Sequence, residues 1–567
     1  MALAKYNGTL GAKKAAHLLR RATFGPTKAA IESFASKTAP EAFTMLTATV
    51  AAPLPPSDVK TGISWLPKPN ENTNSEGFDL DNFVKCWWLD QMLNSGDNLT
   101  EKMVFLFHTF FPTIDSAVGN ATSLYYQNAL FRFYAFGNIK TLTKKICVDN
   151  AMLSLLDGRL NEVGLPNENF ARELFELHTV GRGPQVSDTD FTNYTEADIQ
   201  VAARILSGWT NDNDFGTIIS DPLNPSYTSN VDVETGIPLG ILKGNGIYAS
   251  RHYASANPST VSERTFSAAF GNKLIEHKSE DIVNGRATKE SAKLQVDELV
   301  DMIFEQRATA LNFCRKIYRY FVYWKITDEV ETAVISSMAD TFVANNFEIL
   351  PVIKELFESE YFYDAQNAIE TDNTHADIIK SPLELSLGVM RFFNVKAPLP
   401  TASLLDYYDF YGGLLGNLAN QGISLYEPYD VAGYDAYYQE PDFNRNWITV
   451  NTLAYRYEFA LKLINNTYSD MISINLAEYV KANVADPTIP SNILKYFVAY
   501  LLPEAISDTG DGNRFDYFLD ILRGSLTDIN WKNEWDGYIA SGLDDAINAQ
   551  LKDLLAALLQ TPEYQLM

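Results

Sequence analysis

One run of the sequence, Gly164–Gly181 (GLPNENFARELFELHTVG), holds the side chains best suited to chemistry. Glu173 and Glu176 are three residues apart, so a helix would place them on one face, and His178 follows closely. Carboxylate and imidazole groups can bind a divalent metal or act as acid and base. With His108 as a further imidazole, the candidate metal ligands are His108, His178, Glu173 and Glu176. The candidate catalytic groups are Glu173 and Glu176.

The same run also fits a structural role. Glu168, Arg172 and Glu176 follow one another at intervals of four, which lines up alternating charges along a helix. Such a line could lock the helix to neighbouring segments, among them Arg20 and Arg21. We favour this ion-pair network, formed by Arg20, Arg21, Glu168 and Arg172, because buried charges are usually paired and less often catalytic. Anion binding by the same residues is the alternative.

The remaining chemical signals are weaker. The chain has six histidines, and one in an aromatic run, such as His108, is typical of a hydrogen-bonded core residue. Oxygen-rich loops at 211–214 and 508–513 could hold Ca²⁺, but they lack the ligand spacing of a calcium hand and we interpret them as turns. The sequence contains no glycine-rich nucleotide loop, no Gly-x-Ser-x-Gly elbow and no His-Glu-x-x-His zinc helix.

The elements that must position these side chains are predicted to be mainly α-helical. Apolar residues recur at three- and four-residue spacing, and Thr195 with Asp198 forms a capping box before a further helix. We divide the chain into an N-terminal helical region (1–209), an irregular insertion with short strands (210–290), a central helical region (291–395), a tyrosine-rich irregular segment (396–446) and a C-terminal helical region (447–567). These regions are expected to share one continuous core, which gives a large, multi-helix, bundle-like fold.

Composition excludes several classes of protein. The 567 residues are 46% hydrophobic and 20% charged, which is typical of a globular chain. Asp and Glu number 71 against 45 Lys and Arg, and the net charge of −26 repels nucleic acid and anionic membrane surfaces. Three cysteines lie in apolar runs without a CxxC pattern, so we expect buried thiols. No secretory signal or membrane-spanning stretch is visible, and the prediction is a cytoplasmic protein without membrane insertion.

Several blocks resemble, in order, a bacterial family called "domain of unknown function 1800". The blocks are LLRRATFGPT (18–27), EKMVFLFHTFFPT (101–113), FGNIKTLTKKICVDNAMLSLLDGRLN (136–161), PNENFARELFELHTVG (166–181), YTEADIQVAARILSGWT (194–210), QRATALNFCRKIYRYFV (306–322), IIKSPLELSLGVMRFF (378–393), LYEPYDVAGYD (425–435), 447–456 and LLQTPEYQLM (558–567). The resemblance covers nearly the whole chain. It implies no assigned activity, but relatives are often exported and often encoded beside sulfatase-like partners.

The chain departs from the family pattern at two histidine elements. Where relatives commonly have Trp-His-Asn-His-Phe, this sequence has Phe-His-Thr-Phe-Phe at 107–111, which keeps the first histidine alone. Where relatives have His-Asp followed closely by Gly and Lys, His252 is followed by Tyr253. A metal site built from those positions in relatives would be largely lost here.

These observations predict a structural or interaction protein; one form of it would be a self-assembling, filament-type subunit that binds copies of itself or another protein. The rival hypothesis is a metal-assisted hydrolase of an anionic substrate. It would use His108, Glu173, Glu176 and His178, with Arg20, Arg21 or Arg172 holding the anion. A divalent metal is thus compatible with the sequence but not favoured by it.

Overall fold

The protein is described by a computed structural model over residues 2–66, 73–212, 215, 231–244, 246–363, 378–506 and 513–567. Within these ranges the chain forms 25 α-helices and two small sheets, so the prediction of a mainly α fold is confirmed. None of the helices described is long and apolar enough to cross a membrane.

The N-terminal helices begin where short polar side chains satisfy their first backbone N–H groups. Thr27 Oγ1 accepts from the Ala30 amide at 3.1 Å, and Asn120 Oδ1 accepts from the Ser123 amide at 2.9 Å. The helices are α1 Gly11–Ala22, α2 Lys28–Ala35, α3 Ala39–Leu46, α4 Gly77–Leu93, α5 Thr100–Phe110, α6 Asp115–Val118, α7 Ala121–Phe133, α8 Ile139–Ile146, α9 Asn150–Leu155, α10 Asn169–Glu173 and α11 Glu196–Ile205.

The predicted insertion contains short strands, as expected. Strands β1 Trp209–Thr210 and β2 Ile241–Leu242 pair antiparallel, while β3 Tyr248–Ala249, β5 Arg286–Thr288 and β4 Ile282–Val283 form a second antiparallel sheet in that order. Of the first oxygen-rich loop, Asn213 and Asp214 lie outside the described residues. The Asp212 amide donates to Asn150 Oδ1 at 2.8 Å, which joins the start of this loop to α9.

Helices return after the insertion: α12 Lys289–Glu305, α13 Arg307–Phe321, α14 Asp328–Val330, α15 Ser336–Ala344, α16 Ile349–Phe357 and α17 Pro382–Phe392. The helical run over 329–357 is divided into separate elements. The chain breaks between α15 and α16, where Asn346 and Phe347 adopt positive φ angles of 51° and 64°. A residue in this left-handed conformation cannot continue an α-helix.

The tyrosine-rich segment is less irregular than predicted. It contains α18 Leu404–Asn420 and the short α19 Asp435–Tyr438. Ser403 Oγ accepts from the Asp406 amide at 3.2 Å and starts α18. Tyr407, Tyr411, Leu414 and Leu418 are buried along one face. Three glycines within α18 concealed this helical period in the sequence.

The C-terminal helices complete the same hydrophobic core. They are α20 Val450–Ile464, α21 Leu476–Asn483, α22 Pro490–Leu501, α23 Arg514–Arg523, α24 Asp528–Ser541 and α25 Asp545–Leu559. Among the residues described, one cluster of buried apolar side chains extends from Leu10 to Tyr564. Residues 508–512 of the second oxygen-rich loop lie outside the described residues, and Asn513 Oδ1 caps α23 through the Asp516 amide at 2.8 Å.

Candidate functional site

The run that the sequence singled out folds as α10 followed by a π-helical turn, Leu174–His178. Thr179 Oγ1 donates to the Leu174 carbonyl, five residues back, at 2.5 Å, and the Gly181 amide donates to the Phe175 carbonyl at 2.8 Å. These bonds hold the wider turn. Because π-helical turns are uncommon and frequently occur at functional sites, this segment remains the first candidate site.

Glu176 lies inside this turn with its carboxylate fully partnered. Tyr194 donates its hydroxyl to Oε1 at 2.5 Å, and Arg182 donates Nε to Oε2 at 2.8 Å. The side chain is 5% exposed, and Arg172 Nη1 lies 3.9 Å from Oε1. Burial and the hydrogen bond to Glu176 raise the pKa of Tyr194 well above its usual value. A carboxylate held by these donors is poorly placed to take a proton from a substrate.

Arg172 has its main partner on another helix. Its Nη1 and Nη2 atoms donate to the two carboxylate oxygens of Glu196, at the start of α11, at 2.9 and 2.6 Å. Glu168 Oε2 is farther away, at 3.5 Å. The hydrogen bond to Arg172 lowers the pKa of Glu196. This two-pronged geometry suits a guanidinium facing a carboxylate, and it ties α10 to α11.

Arg20 and Arg21 form hydrogen bonds away from the charged helix. Arg20 Nη2 donates to the backbone carbonyls of Leu502 at 2.8 Å and Tyr500 at 3.2 Å, at the end of α22. Arg21 Nη1 lies 3.0 Å from His17 Nδ1. Glu196 is a residue that joins the charged helix to a neighbouring helix.

Glu173 differs from its neighbours because no hydrogen bond or ion pair links its carboxyl group to a described residue. Burial raises its pKa, and the negative charge of Glu176 raises it further. Arg182 and Arg172 lower it to a smaller extent, and Asp430, from the 425–435 block, raises it. This carboxyl group therefore holds a proton at higher pH than an ordinary glutamate.

His178 and His108 are both buried, and they contact different groups. His178 Nδ1 is 3.0 Å from the Phe110 carbonyl, so Nδ1 carries the proton, and Nε2 has no hydrogen-bond partner among the described residues. His108 Nε2 is 3.4 Å from the Tyr434 hydroxyl, and its ring lies edge-on to Trp88 at 5.3 Å between centroids. Burial lowers the pKa of each imidazole to about 3, so both are neutral at physiological pH.

Lys316 of α13 contacts the π-helical turn from a neighbouring helix. Lys316 Nζ donates to the Leu177 carbonyl at 2.6 Å and lies 5.3 Å from the Phe110 ring centroid. Burial, with the nearby charge of Arg319, lowers the pKa of Lys316 to about 8. The ammonium group thus satisfies a carbonyl that the α-helical pattern leaves open at the end of the turn.

The four predicted metal ligands do not form a metal-binding group. In the part of the chain that the structure describes, no three or more His, Cys, Asp or Glu side chains are arranged to hold an ion. Sequence reasoning missed Tyr194, Arg182, Glu196, Lys316 and Asp430. Tyr194 and Glu196 stand at the start of the block that carries the capping box, which was the one available signal.

A second charged centre, which the sequence analysis also missed, joins a buried residue of α5 to a buried residue of α17. Lys102 and Glu384 form an ion pair in which both side chains are at most 5% exposed. Ser381 caps α17 and donates its hydroxyl to Glu384. Lys102 Nζ also lies 5.1 Å from the Phe24 ring centroid. The Lys102 charge and these hydrogen bonds outweigh full burial and keep the pKa of Glu384 below its usual value. The two cavities beside Glu384, of about 20 and 30 Å³, have room for water molecules but not for a substrate.

Together, the helical fold and the charged site define a mainly α protein whose most distinctive helix is held by interhelical ion pairs. Residues 17–566 match the family described as "Protein of unknown function (DUF1800)", and the chain belongs to that family. Searches of curated proteins and of solved structures find no match to the chain.

Proposed function

We propose that the protein has a structural or interaction role and acts by binding copies of its own chain. One observation carries this proposal: two charged groups of the helix most typical of the family, Glu176 and Arg172, are paired with residues outside that helix. Glu176 is held by Tyr194 and Arg182, and Arg172 is held by Glu196. Groups paired in this way stabilise a fold, and they have little free capacity to bind and convert a substrate.

Exposed apolar side chains support a role in association. Leu160, Val163, Leu165 and Ile247 are all exposed, with Leu165 at 71%; we call them the 160/247 surface. Their two segments are joined, since the Val163 amide donates to the Arg251 carbonyl at 2.8 Å. Clusters of exposed apolar groups are typical of interaction sites. The net charge of −26 opposes self-association at low ionic strength and disfavours nucleic acid as a partner.

The oligomeric state tests this proposal. Multi-angle light scattering and electron microscopy are carried out over a range of protein concentrations, at low salt and at about 1 M salt, where the Debye length falls to about 3 Å. We expect assemblies larger than one chain, more of them at high salt. A monodisperse monomer under every condition would refute the proposal.

A pair of variants locates the contact. Leu165→Glu places a charge on the 160/247 surface and should reduce assembly. Ile529→Glu, at an equally exposed position on α24, is the matched control and should leave assembly unchanged. Equal effects of the two variants would show that the 160/247 surface is not the interface.

The second candidate function is hydrolysis of an anionic substrate, with Glu173 as the acid or base. The observation that favours it is the carboxyl group of Glu173, which has a raised pKa, lies near Arg172 and Arg182 and forms no hydrogen bond or ion pair with a described residue. A screen of phosphate, sulfate and carboxylate esters, with Glu173→Gln as the comparison, tests this function. Turnover that disappears in Glu173→Gln but persists in Arg20→Gln would support it, and absence of turnover by the wild-type protein would count against it.

We also propose that the protein acts in the cytoplasm. Cys86, Cys147 and Cys314 are all buried free thiols, and burial raises the pKa of each. Unpaired cysteines are common in reducing compartments. Fractionation of cells producing the protein at native level tests this, and recovery outside the cytoplasm would overturn it.

A further inference from the structure

Two buried histidines meet within the segment that was predicted to be an irregular insertion. His252 follows β3 and His277 precedes β4, and their Nε2 atoms are 3.2 Å apart. Gln295 of α12 places its Oε1 atom 3.1 Å from His252 Nε2. The Tyr253 carbonyl oxygen lies 3.3 Å from His277 Nε2. All three side chains are at most 6% exposed.

The Nδ1 atom of each histidine lies within hydrogen-bond distance of another group. His252 Nδ1 lies 2.8 Å from the Ser207 carbonyl, which can only accept, so this nitrogen carries the proton. In the neutral ring Nε2 then has a lone pair, and it faces the Gln295 oxygen, which also has lone pairs. His277 Nδ1 lies 2.7 Å from Ser291 Oγ, which accepts the proton in one tautomer of the ring; in the other tautomer Nε2 donates to the Tyr253 carbonyl, and metal binding would select the first. With the His277 proton on Nδ1, four atoms with lone pairs follow one another at 3.1 to 3.3 Å: the Gln295 amide oxygen, the two ring nitrogens and the Tyr253 carbonyl oxygen.

Three of the distances among these four atoms match edges of a metal coordination tetrahedron. Bonds of about 2.0–2.1 Å from zinc to nitrogen or oxygen at tetrahedral angles put neighbouring ligand atoms about 3.3 Å apart. The three donor-to-donor distances in the structure are 3.2, 3.1 and 3.3 Å. A histidine that binds metal through Nε2 usually donates its Nδ1–H to an acceptor that fixes the orientation of the ring. Here the Ser207 carbonyl and the Ser291 hydroxyl are placed to be those acceptors.

We propose that His252, His277, Gln295 and the Tyr253 carbonyl form a binding site for a divalent transition metal of the zinc class. Four protein donors would leave no open position, so the metal would be structural and not catalytic. It would fasten residues 252–253 and 277 to α12. This site contains none of the residues of the charged helix, and it uses His252, which the sequence analysis placed in an incomplete family element, together with donors that the sequence did not indicate.

The surroundings are compatible with an added cation. Burial lowers the pKa of His252 to about 4 and lowers that of His277, so both rings are neutral and able to bind metal at pH 7. The buried guanidinium of Arg264, whose charge acts on His277, is paired with Glu276. A cavity of about 10 Å³, lined in part by Tyr253, His277 and Gln295, adjoins the donors and provides the space of about one water molecule.

Metal binding to the full-length protein tests the proposal. The protein is purified without chelator for elemental analysis, then stripped and titrated with Zn²⁺, and with Co²⁺ for its visible absorption. We expect one bound ion per chain, a higher thermal midpoint with Zn²⁺, and a Co²⁺ spectrum of tetrahedral intensity. Binding weaker than micromolar, or a thermal midpoint that Zn²⁺ does not change, would overturn the proposal.

Variants of Gln295 separate metal binding from a simple hydrogen-bonded pair of histidines. Gln295→Glu replaces the amide oxygen with a charged ligand and should strengthen Zn²⁺ binding, whereas Gln295→Leu removes the ligand and should weaken it by about 10-fold or more. If the amide instead donates its N–H to His252, both variants remove that donor and neither changes Zn²⁺ affinity. His277→Ala should abolish the site, and His17→Ala, which removes an imidazole from α1, is the control. Equal loss in His277→Ala and His17→Ala would also contradict the assignment.

Discussion

Two glutamates of the charged helix, three residues apart, should respond in opposite ways to the same substitution. In Glu176→Gln the buried carboxylate loses its charge while Tyr194 and Arg182 remain beside it. A hydrogen bond to a charged group contributes about 1.5–3 kcal/mol, and Gln keeps one oxygen that can accept from Tyr194. Arg182 is mostly exposed, so its ion pair adds about 1 kcal/mol at most. The expected loss of unfolding free energy is about 2 kcal/mol.

Glu173→Gln serves as the matched control, because this carboxyl group has no such partner in the ranges that the structure describes. Its folded pKa is raised above the unfolded value, so the native state holds the proton more tightly and wild-type stability falls as pH rises between the two pKa values. Removing the charge should leave stability at pH 7 unchanged or increase it.

Urea unfolding at pH 7 measures both effects as shifts in midpoint at constant slope. Equal destabilisation by the two variants, or a Glu176→Gln midpoint equal to that of wild type, would refute the assignment of Glu176 to a structural network.

Four further predictions concern other parts of the fold. Arg172→Lys should lower stability by about 1 kcal/mol in the same urea assay, since a lysine cannot make both bonds to Glu196; an unchanged midpoint would contradict this. Lys102→Met should cost about 3–5 kcal/mol by leaving Glu384 buried and unpaired, and the double variant Lys102→Met/Glu384→Leu should recover much of the loss, as a double-mutant cycle will show. Asp149→Asn should become more stabilising relative to wild type as pH rises from about 4 to 7, by at most about 1.4 kcal/mol per pH unit, because burial raises the pKa of Asp149 to about 7 and the charged form is costly; a difference that does not vary with pH would exclude this pKa. Gly25→Ala should lower the thermal midpoint far more than Gly96→Ala, because a methyl group at Gly25 would collide with the backbone of Gly388 while one at Gly96 would meet open space.

The helical class could be predicted from local pattern, because helix caps and apolar spacing are properties of short segments. The capping box of Thr195 and Asp198 forms as expected, with the Thr195 amide donating to Asp198 at 2.8 Å. The helix α18 was missed because glycines and tyrosines there do not favour helix locally. Burial of Tyr407 and Tyr411 against α4 supplies the stabilisation.

The charged site could be predicted only in part, because its partners come from distant positions. Glu168 and Glu176 each lie one helical turn from Arg172, close enough for an ion pair, and this spacing is visible in the sequence. The stronger contacts bring in Glu196 and Tyr194, which no local rule relates to that helix. Likewise, nothing local relates His108 to Tyr434, and the packing between them is set by the whole fold.

Several blocks through which the sequence resembles its family meet around Glu384. Lys102, from the 101–113 block, forms the ion pair, and Phe24, from the 18–27 block, covers the Lys102 ammonium. Arg456 donates to the Lys380 carbonyl at 3.0 Å and to Gln565 Oε1 at 2.8 Å, which links the 447–456 and 558–567 blocks to the start of α17. These blocks are far apart in the chain and adjoin cavities too small for a substrate. A shared sequence pattern can thus be explained at these positions by the need to hold distant helices in one core, without any common reaction.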